Sequence, residues 1–257
     1  MTRQRITLSL FVLGGALVVA SGASAAQSSL FDLPVLKLEN LPAGGQSLSL
    51  SLQTLILMSA LTILPSMLLV TTSFTRIIIT LSLLRLALGT QQTPPNQVLV
   101  GIALFLTLFI MTPTFKEAND AAFQPYSAGQ IGIEEAGART ATIMKGFMLK
   151  QTRQSDIAMI AELRGDAGYQ SASDVPFVVA VPAFLISELR TAFTIGFLLF
   201  LPFLVIDIVV SSILMSLGMM MLSPMLVSLP FKLLMFVIVD GWALTLNSLV
   251  ESFTRGL

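Results

Sequence analysis

The sequence contains neither histidine nor cysteine, so the side chains able to do chemistry are carboxylates, amines and thioethers in unusual places. Asp207, Lys232 and Asp240 interrupt the most apolar third of the chain, and Met219, Met220 and Met221 stand in a row between Gly218 and Pro224. The two missing residue types remove the usual general base, the commonest metal ligand and all thiol chemistry. No catalytic residue, metal site or cofactor is expected, and the chain reads as a non-enzyme.

A charge at the centre of a lone membrane helix costs about 2.5–3.5 kcal/mol, so Asp207, Lys232 and Asp240 need partners. Asp207 lies thirteen residues before Met220 and Lys232 twelve after it. In an antiparallel hairpin turning at the methionines both charges reach one level, roughly 18 Å from the turn at helical rise. The spacing therefore predicts an Asp207–Lys232 ion pair, closed within one hairpin or between neighbouring copies of the chain. The alternative is a proton relay through Asp207 and Asp240. Only one basic residue and no histidine share that region, which favours pairing. Glu188 and Arg190, where the apolar third begins, are read either as solvated helix-end charges or as a polar contact between subunits.

Methionine ordinarily fills gaps in a core. Three in succession do so poorly, because consecutive helical positions point about 100° apart and cannot face one core. A loop bounded by Gly218 and Pro224 would instead present several thioethers together. Around an axis shared by identical chains, such loops would form a soft apolar plug that stops water and ions and deforms around a passing chain.

The elements that must hold these residues are helical and membrane-length. Of 257 residues, 54% are hydrophobic and 11% charged, under half the charged share of a soluble domain. Lys plus Arg equals Asp plus Glu at 14 each, so no basic field points to nucleic acid. Residues 1–25 place Arg3 and Arg5 before an uncharged stretch and an A-x-A site at Ala23-Ser24-Ala25. This predicts a cleaved secretory signal, the alternative being an uncleaved membrane helix. Residues 26–47 are a polar segment. Residues 48–115 read as a first hairpin, its first helix kinked at Pro65 and its second centred on QVLVGIALFLTLFIM. The connection between them carries Arg76 and Arg85 and no acid, placing it in the cytoplasm by the positive-inside rule.

Residues 116–182 are richer in charge and read as a small helical exported region. Its main helix opens on Glu134 and Glu135 and closes near Lys150 and Arg153, matching the helix dipole. Ile143, Met144, Phe147 and Met148 supply its apolar stripe. Residues 183–257 read as a second hairpin joined at the methionines, with helices kinked or broken at Pro182, Pro202, Pro224 and Pro230.

The runs ALGTQQTPPNQVL (87–99), ALFLTLFIMTP (103–113), FMLKQTR (147–153), VPAFLISELRTAFTIGFLLFLPFLVIDIVVSSILMSLGMMMLSP (181–224) and LPFKLLMFVIVDGW (229–242) closely resemble the FliP family of type III protein export gates. The similarity covers nearly the whole chain after residue 48. Injectisome relatives share much of the pattern, while the signal-like start and TQQTPPN look more flagellar. The resemblance implies a pentamer that joins FliQ and FliR in a closed helical gate within a ring of FlhA, with FlhB nearby. It maps the family's methionine gasket onto Met219, Met220 and Met221, and its polar and aromatic subunit contacts near Phe147, Glu188, Asp207 and Lys232. It also implies that helices of membrane length are lifted largely out of the bilayer and buried against other subunits. Gln154 stands where relatives usually carry an acid, which weakens any charge contact there.

Together these features lead to an all-α fold of membrane-associated helical hairpins assembling into a closed oligomeric gate. The expected function is the pore-forming subunit of the flagellar export gate, in the bacterial inner membrane and flagellar basal body, conducting unfolded flagellar proteins. There is no phosphate loop, so energy comes from elsewhere. The alternatives are the equivalent injectisome subunit and, from a different class, a small-solute or proton transporter with a polar midplane site.

Overall fold

The computed structural model describes residues 66–254 apart from 68, 91, 167, 170 and 220, and ahead of them residues 55, 57–59 and 61–63. The expected signal segment, the polar segment, most of the first helix with Pro65, and Met220 lie outside the described residues. The chain divides into two units, 1–64 and 65–257. In the first unit the described positions are helical, with Thr62 Oγ1 donating to the Met58 carbonyl at 2.8 Å. Everything below concerns the second unit.

All regular structure among the described residues is helical. Helix α1 spans Phe74–Leu88, α2 Asn96–Ala118, α3 Gln124–Ser127, α4 Ile133–Gln151, α5 Gln154–Arg164, α6 Phe177–Ser216, α7 Pro224–Ile238 and α8 Gly241–Thr254. A π-helical turn, Asn119–Phe123, joins α2 to α3, giving a continuous helical run over Asn96–Ser127. That run and α6 are long and apolar enough to cross a membrane; α7 and α8 together qualify as a third, bent by 64° at their junction. The segment boundaries expected at 115/116 and 182/183 both fall inside helices.

Local chemistry sets the ends. Gly89 takes the left-handed conformation (φ 75°) that stops α1, and Gly165 (φ 85°) stops α5. Glu134 and Glu135 occupy the first turn of α4 and Lys150 its last. Of the two outcomes expected at the prolines, kink or break, a break is seen only at Pro224. Helix α6 runs through Pro182 and Pro202 and α7 through Pro230; only Pro224 marks a boundary, at the first turn of α7 where its missing N–H is no loss. The break not anticipated is at Asp240, left-handed at φ 51°. Gly241 follows, and a side chain there would collide with the Phe236 ring. The Asp-Gly pair is a readable turn signal.

Helix α1 runs parallel to α6: Arg76 meets Glu188, Leu83 meets Gly196, and Leu84, Ala87 and Leu88 pack with Phe203. The buried face of α6 carries Ala180, Ala183, Ser187, Ala192 and Gly196, small enough for close approach; a Cβ on Gly196 would overlap Leu83. A second cluster joins Ile77 and Leu81 to Leu99, Ala103 and Leu106 of α2 and Leu249 and Phe253 of α8. A third seats Ile157 of α5 against Val175, Val179, Ala180 and Ala183.

The Arg-bearing connection is itself a helix, α1, and it supplies residues to the core. Arg76 is buried there because other helices supply an acceptor for each of its donors. Arg85 remains at the edge and fastens the α1–α2 loop, donating to Asn96 Oδ1 at 2.6 Å and to the Pro94 carbonyl at 3.2 Å.

Candidate functional site

The tip of the α6–α7 hairpin is framed by two opposed helix signals. At the end of α6, Gly218 is left-handed (φ 73°), its N–H bonds to the Met215 carbonyl at 3.1 Å, and the Met219 N–H reaches back to Leu214 at 3.0 Å. This double bond pattern closes the helix and satisfies its last carbonyls. The Leu222 N–H bonds to Met219 at 3.2 Å, forming a turn, and α7 begins at Pro224 with Leu226 and Val227 donating to the Ser223 carbonyl. Between these signals Met221 is fully exposed and Met219 is 43% exposed. Leu217, Leu222 and Met225 beside them are also exposed. The described part of the tip is an apolar, sulfur-bearing knob.

The hairpin below the tip is fixed by a polar rung. Asp207 on α6 accepts from Ser228 Oγ at 2.6 Å through Oδ1 and from Lys232 Nζ at 2.5 Å through Oδ2. Lys232 also donates to the Ala87 carbonyl at 3.3 Å, among the terminal carbonyls of α1. A cation there is favoured by the helix dipole as well as by the carboxylate. The Lys232 side chain is 4% exposed and that of Asp207 31%. The pair therefore closes within one hairpin, with Lys232 as the buried partner. Below it Phe203, Phe236 and Trp242 form an aromatic rung, with centroids 6.3 Å and 5.6 Å apart.

Glu188 is not a solvated helix end; it is paired within the chain. It lies in the interior of α6, fully buried, and both its oxygens accept from Arg76. Arg76 Nη1 donates to the Ser252 carbonyl and hydroxyl, each at 3.0 Å, and Nη2 donates to Gln151 Oε1 at 3.3 Å. Gln151 in turn donates to the Phe253 carbonyl at 3.1 Å, and the guanidinium carbon sits 3.7 Å from the Phe253 ring centroid. Four helices, α1, α4, α6 and α8, are joined at one closed network.

Arg190 is half exposed and pairs with the buried Asp156 of α5 at 3.0 Å. Phe147 stacks edge-on against Phe184 at 6.2 Å. Both fasten elements of the same chain. Asp240 is exposed at the α7–α8 bend.

Sequence reasoning missed the partners of Arg76. Gln151 and Ser252 are ordinary polar residues near helix ends, and nothing in the spacing announces a charge 75 or 176 residues away. Ser228 was within reach, since it stands one helical turn before Lys232 on the same face. No cluster of three or more metal-ligating side chains exists among the described residues. An open cavity of about 370 Å³ lies between α2 and α4, lined by Glu117, Arg139, Thr142 and Ile143.

The sequence model of the FliP family matches residues 57–249. The chain is 60% identical over 210 residues to the flagellar biosynthetic protein FliP of Cereibacter sphaeroides, covering 82% of this chain and 70% of that one. It is 54% identical to the protein of the same name from Pectobacterium carotovorum, covering 86% of each, and 50% identical to that of Bacillus subtilis, covering 81% of this chain and 94% of its relative. The chain belongs to the FliP family.

Proposed function

We propose that this chain is the pore-building subunit of a flagellar type III protein export gate. Several copies surround a common axis, their hairpin tips meet on it, and Met219, Met220 and Met221 form the seal at rest. Five copies, joined by FliQ and FliR and served by FlhA and FlhB, make the working complex in the inner membrane. The region from about Lys116 to Pro182 faces the periplasm, and the cargo is unfolded flagellar protein.

The observation that carries this reading is the tip itself: thioethers exposed on a short turn, held on a hairpin braced by an internal ion pair and an aromatic rung. Thioether chains deform without losing apolar contact, which suits a seal that must part around a polypeptide. The exposed apolar faces of α6, including Phe193, Phe197, Val205 and Ile208, and of α7, including Leu234 and Val237, exceed what a monomer in water leaves uncovered. They supply surface for neighbouring subunits and lipid.

A transporter is less well supported, since its candidate polar site, Asp207 with Lys232, is occupied by internal partners. The test is simultaneous replacement of Met219, Met220 and Met221 by alanine. Assembly should persist while the membrane becomes permeable to small ions; unchanged permeability in an assembled variant argues against the seal.

A further inference from the structure

We propose that the hairpin tip is a redox-sensitive modification site, at which hydrogen peroxide or hypochlorous acid converts Met221 and Met219 to sulfoxides and so opens the resting seal to water. The exposure of the thioethers is a property of the single chain; oxidant access in the assembly, from the mouth of the seal, and the effect on permeability rest on the gate reading above.

Five of the chain's thirteen methionines fall within residues 215–225, and the chain has no cysteine to compete for oxidant. Met215, Met219, Met221 and Met225 are all exposed, Met221 completely. Met111 and Met148, in contrast, are 0% exposed. Susceptibility to oxidation follows access to the sulfur. Met219 and Met221 lie on a turn closed by the Leu222–Met219 backbone hydrogen bond, and both side chains are exposed in the single chain.

The chemistry balances with the named oxidants. A sulfur lone pair attacks the peroxide oxygen, the S–O bond forms as the O–O bond breaks, and proton transfer releases water. Sulfur loses two electrons and the peroxide gains them. With hypochlorous acid the same oxygen transfer releases chloride and a proton.

The product is a strongly polar, hydrogen-bond-accepting group where a weak acceptor stood. A constriction that closes by dewetting depends on apolar lining, so sulfoxides on converging tips admit water. Sulfoxide reductases return the thioether, making the change reversible.

The experiment uses the full assembled complex in proteoliposomes, treated with hydrogen peroxide. Peptide mass spectrometry should show Met221 gaining oxygen at least about tenfold faster than Met111 and Met148. Ion leak should rise severalfold in step with oxidation at Met219 and Met221. Methionine sulfoxide reductase with a thiol reductant should reverse it, and Met221→Gln, a polar mimic, should leak without oxidant. A variant with two exposed methionines away from the tip, Met67 and Met159, changed to leucine should respond like the parent. Equal oxidation rates at Met221 and Met148, or loss of the response in that leucine variant, would overturn the proposal. Rapid oxidation of Met221 with no leak would overturn the switch. The unoxidised alanine variant then shows separately whether the gate reading falls with it.

Discussion

Arg76 and Glu188, 112 residues apart, meet with no solvent on either side chain: Nε donates to Oε2 at 2.8 Å and Nη2 to Oε1. With Ser252 and Gln151 taking the remaining donors, all five guanidinium N–H groups are used. Removing one partner strands the other charge in an apolar interior, which costs about 3–5 kcal/mol, whereas replacing both with apolar groups of similar volume is often neutral. Arg76→Met or Glu188→Met alone should therefore sharply lower the unfolding temperature in detergent, and the double variant should recover most of the loss. Additive losses in the double would show that the pair is not what holds these helices.

The rung at Asp207 differs, because Lys232 has two acceptors. It balances the carboxylate and also caps α1 through the Ala87 carbonyl. Asp207→Lys should block stable assembly through repulsion at a nearly buried ammonium. Exchanging the two charges, Asp207→Lys with Lys232→Asp, should restore assembly only in part, since an aspartate at 232 would face the carbonyl end of α1. Size-exclusion profiles of equally expressed proteins distinguish partial rescue from none, and complete absence of rescue would contradict the pairing.

Gly196 sets the closeness of α1 and α6. A methyl there overlaps the Leu83 side chain, so Gly196→Ala should destabilise by about 1–3 kcal/mol through overpacking. Shortening the neighbour, as in Gly196→Ala with Leu83→Ala, should relieve the strain but leave the loss of leucine packing. If thermal unfolding shows Gly196→Ala to be neutral, the two helices are not in the contact described.

At the α7–α8 bend, Asp240 holds a left-handed backbone that aspartate tolerates and β-branched residues do not. Asp240→Gly should be close to neutral, and Asp240→Val should cost about 1–2 kcal/mol. Gly241→Ala should displace Phe236 from its place beside Trp242. Trp242 is the chain's single tryptophan, so its emission reports the displacement directly; an unshifted spectrum would mean the bend is not locked by that stack.

Much of this was legible in sequence. Apolar length announced α2 and α6, the placement of Glu134, Glu135 and Lys150 announced α4, and equal distance from the methionines announced the level of Asp207 and Lys232. The burial of Arg76 was not legible, because its acceptors come from helices distant in sequence. Glu188 misled for the same reason: nothing local shows that both oxygens are taken. Three of the prolines gave no break because a long helix can forgo single hydrogen bonds while packing holds it together, as α6 does at Pro182 and Pro202.

Convergence of the tips from several copies is the claim on which the gate reading stands. The chain has no native cysteine, so Met221→Cys places a single thiol at the tip, and a disulfide forms only when two Cα atoms approach within about 7 Å. Mild oxidation of the membrane-embedded variant should give cross-linked dimers rapidly, while Leu163→Cys, at another exposed position on α5, should remain uncross-linked. If the Met221→Cys variant stays monomeric under conditions that preserve the assembly, convergence is contradicted, and with it the seal.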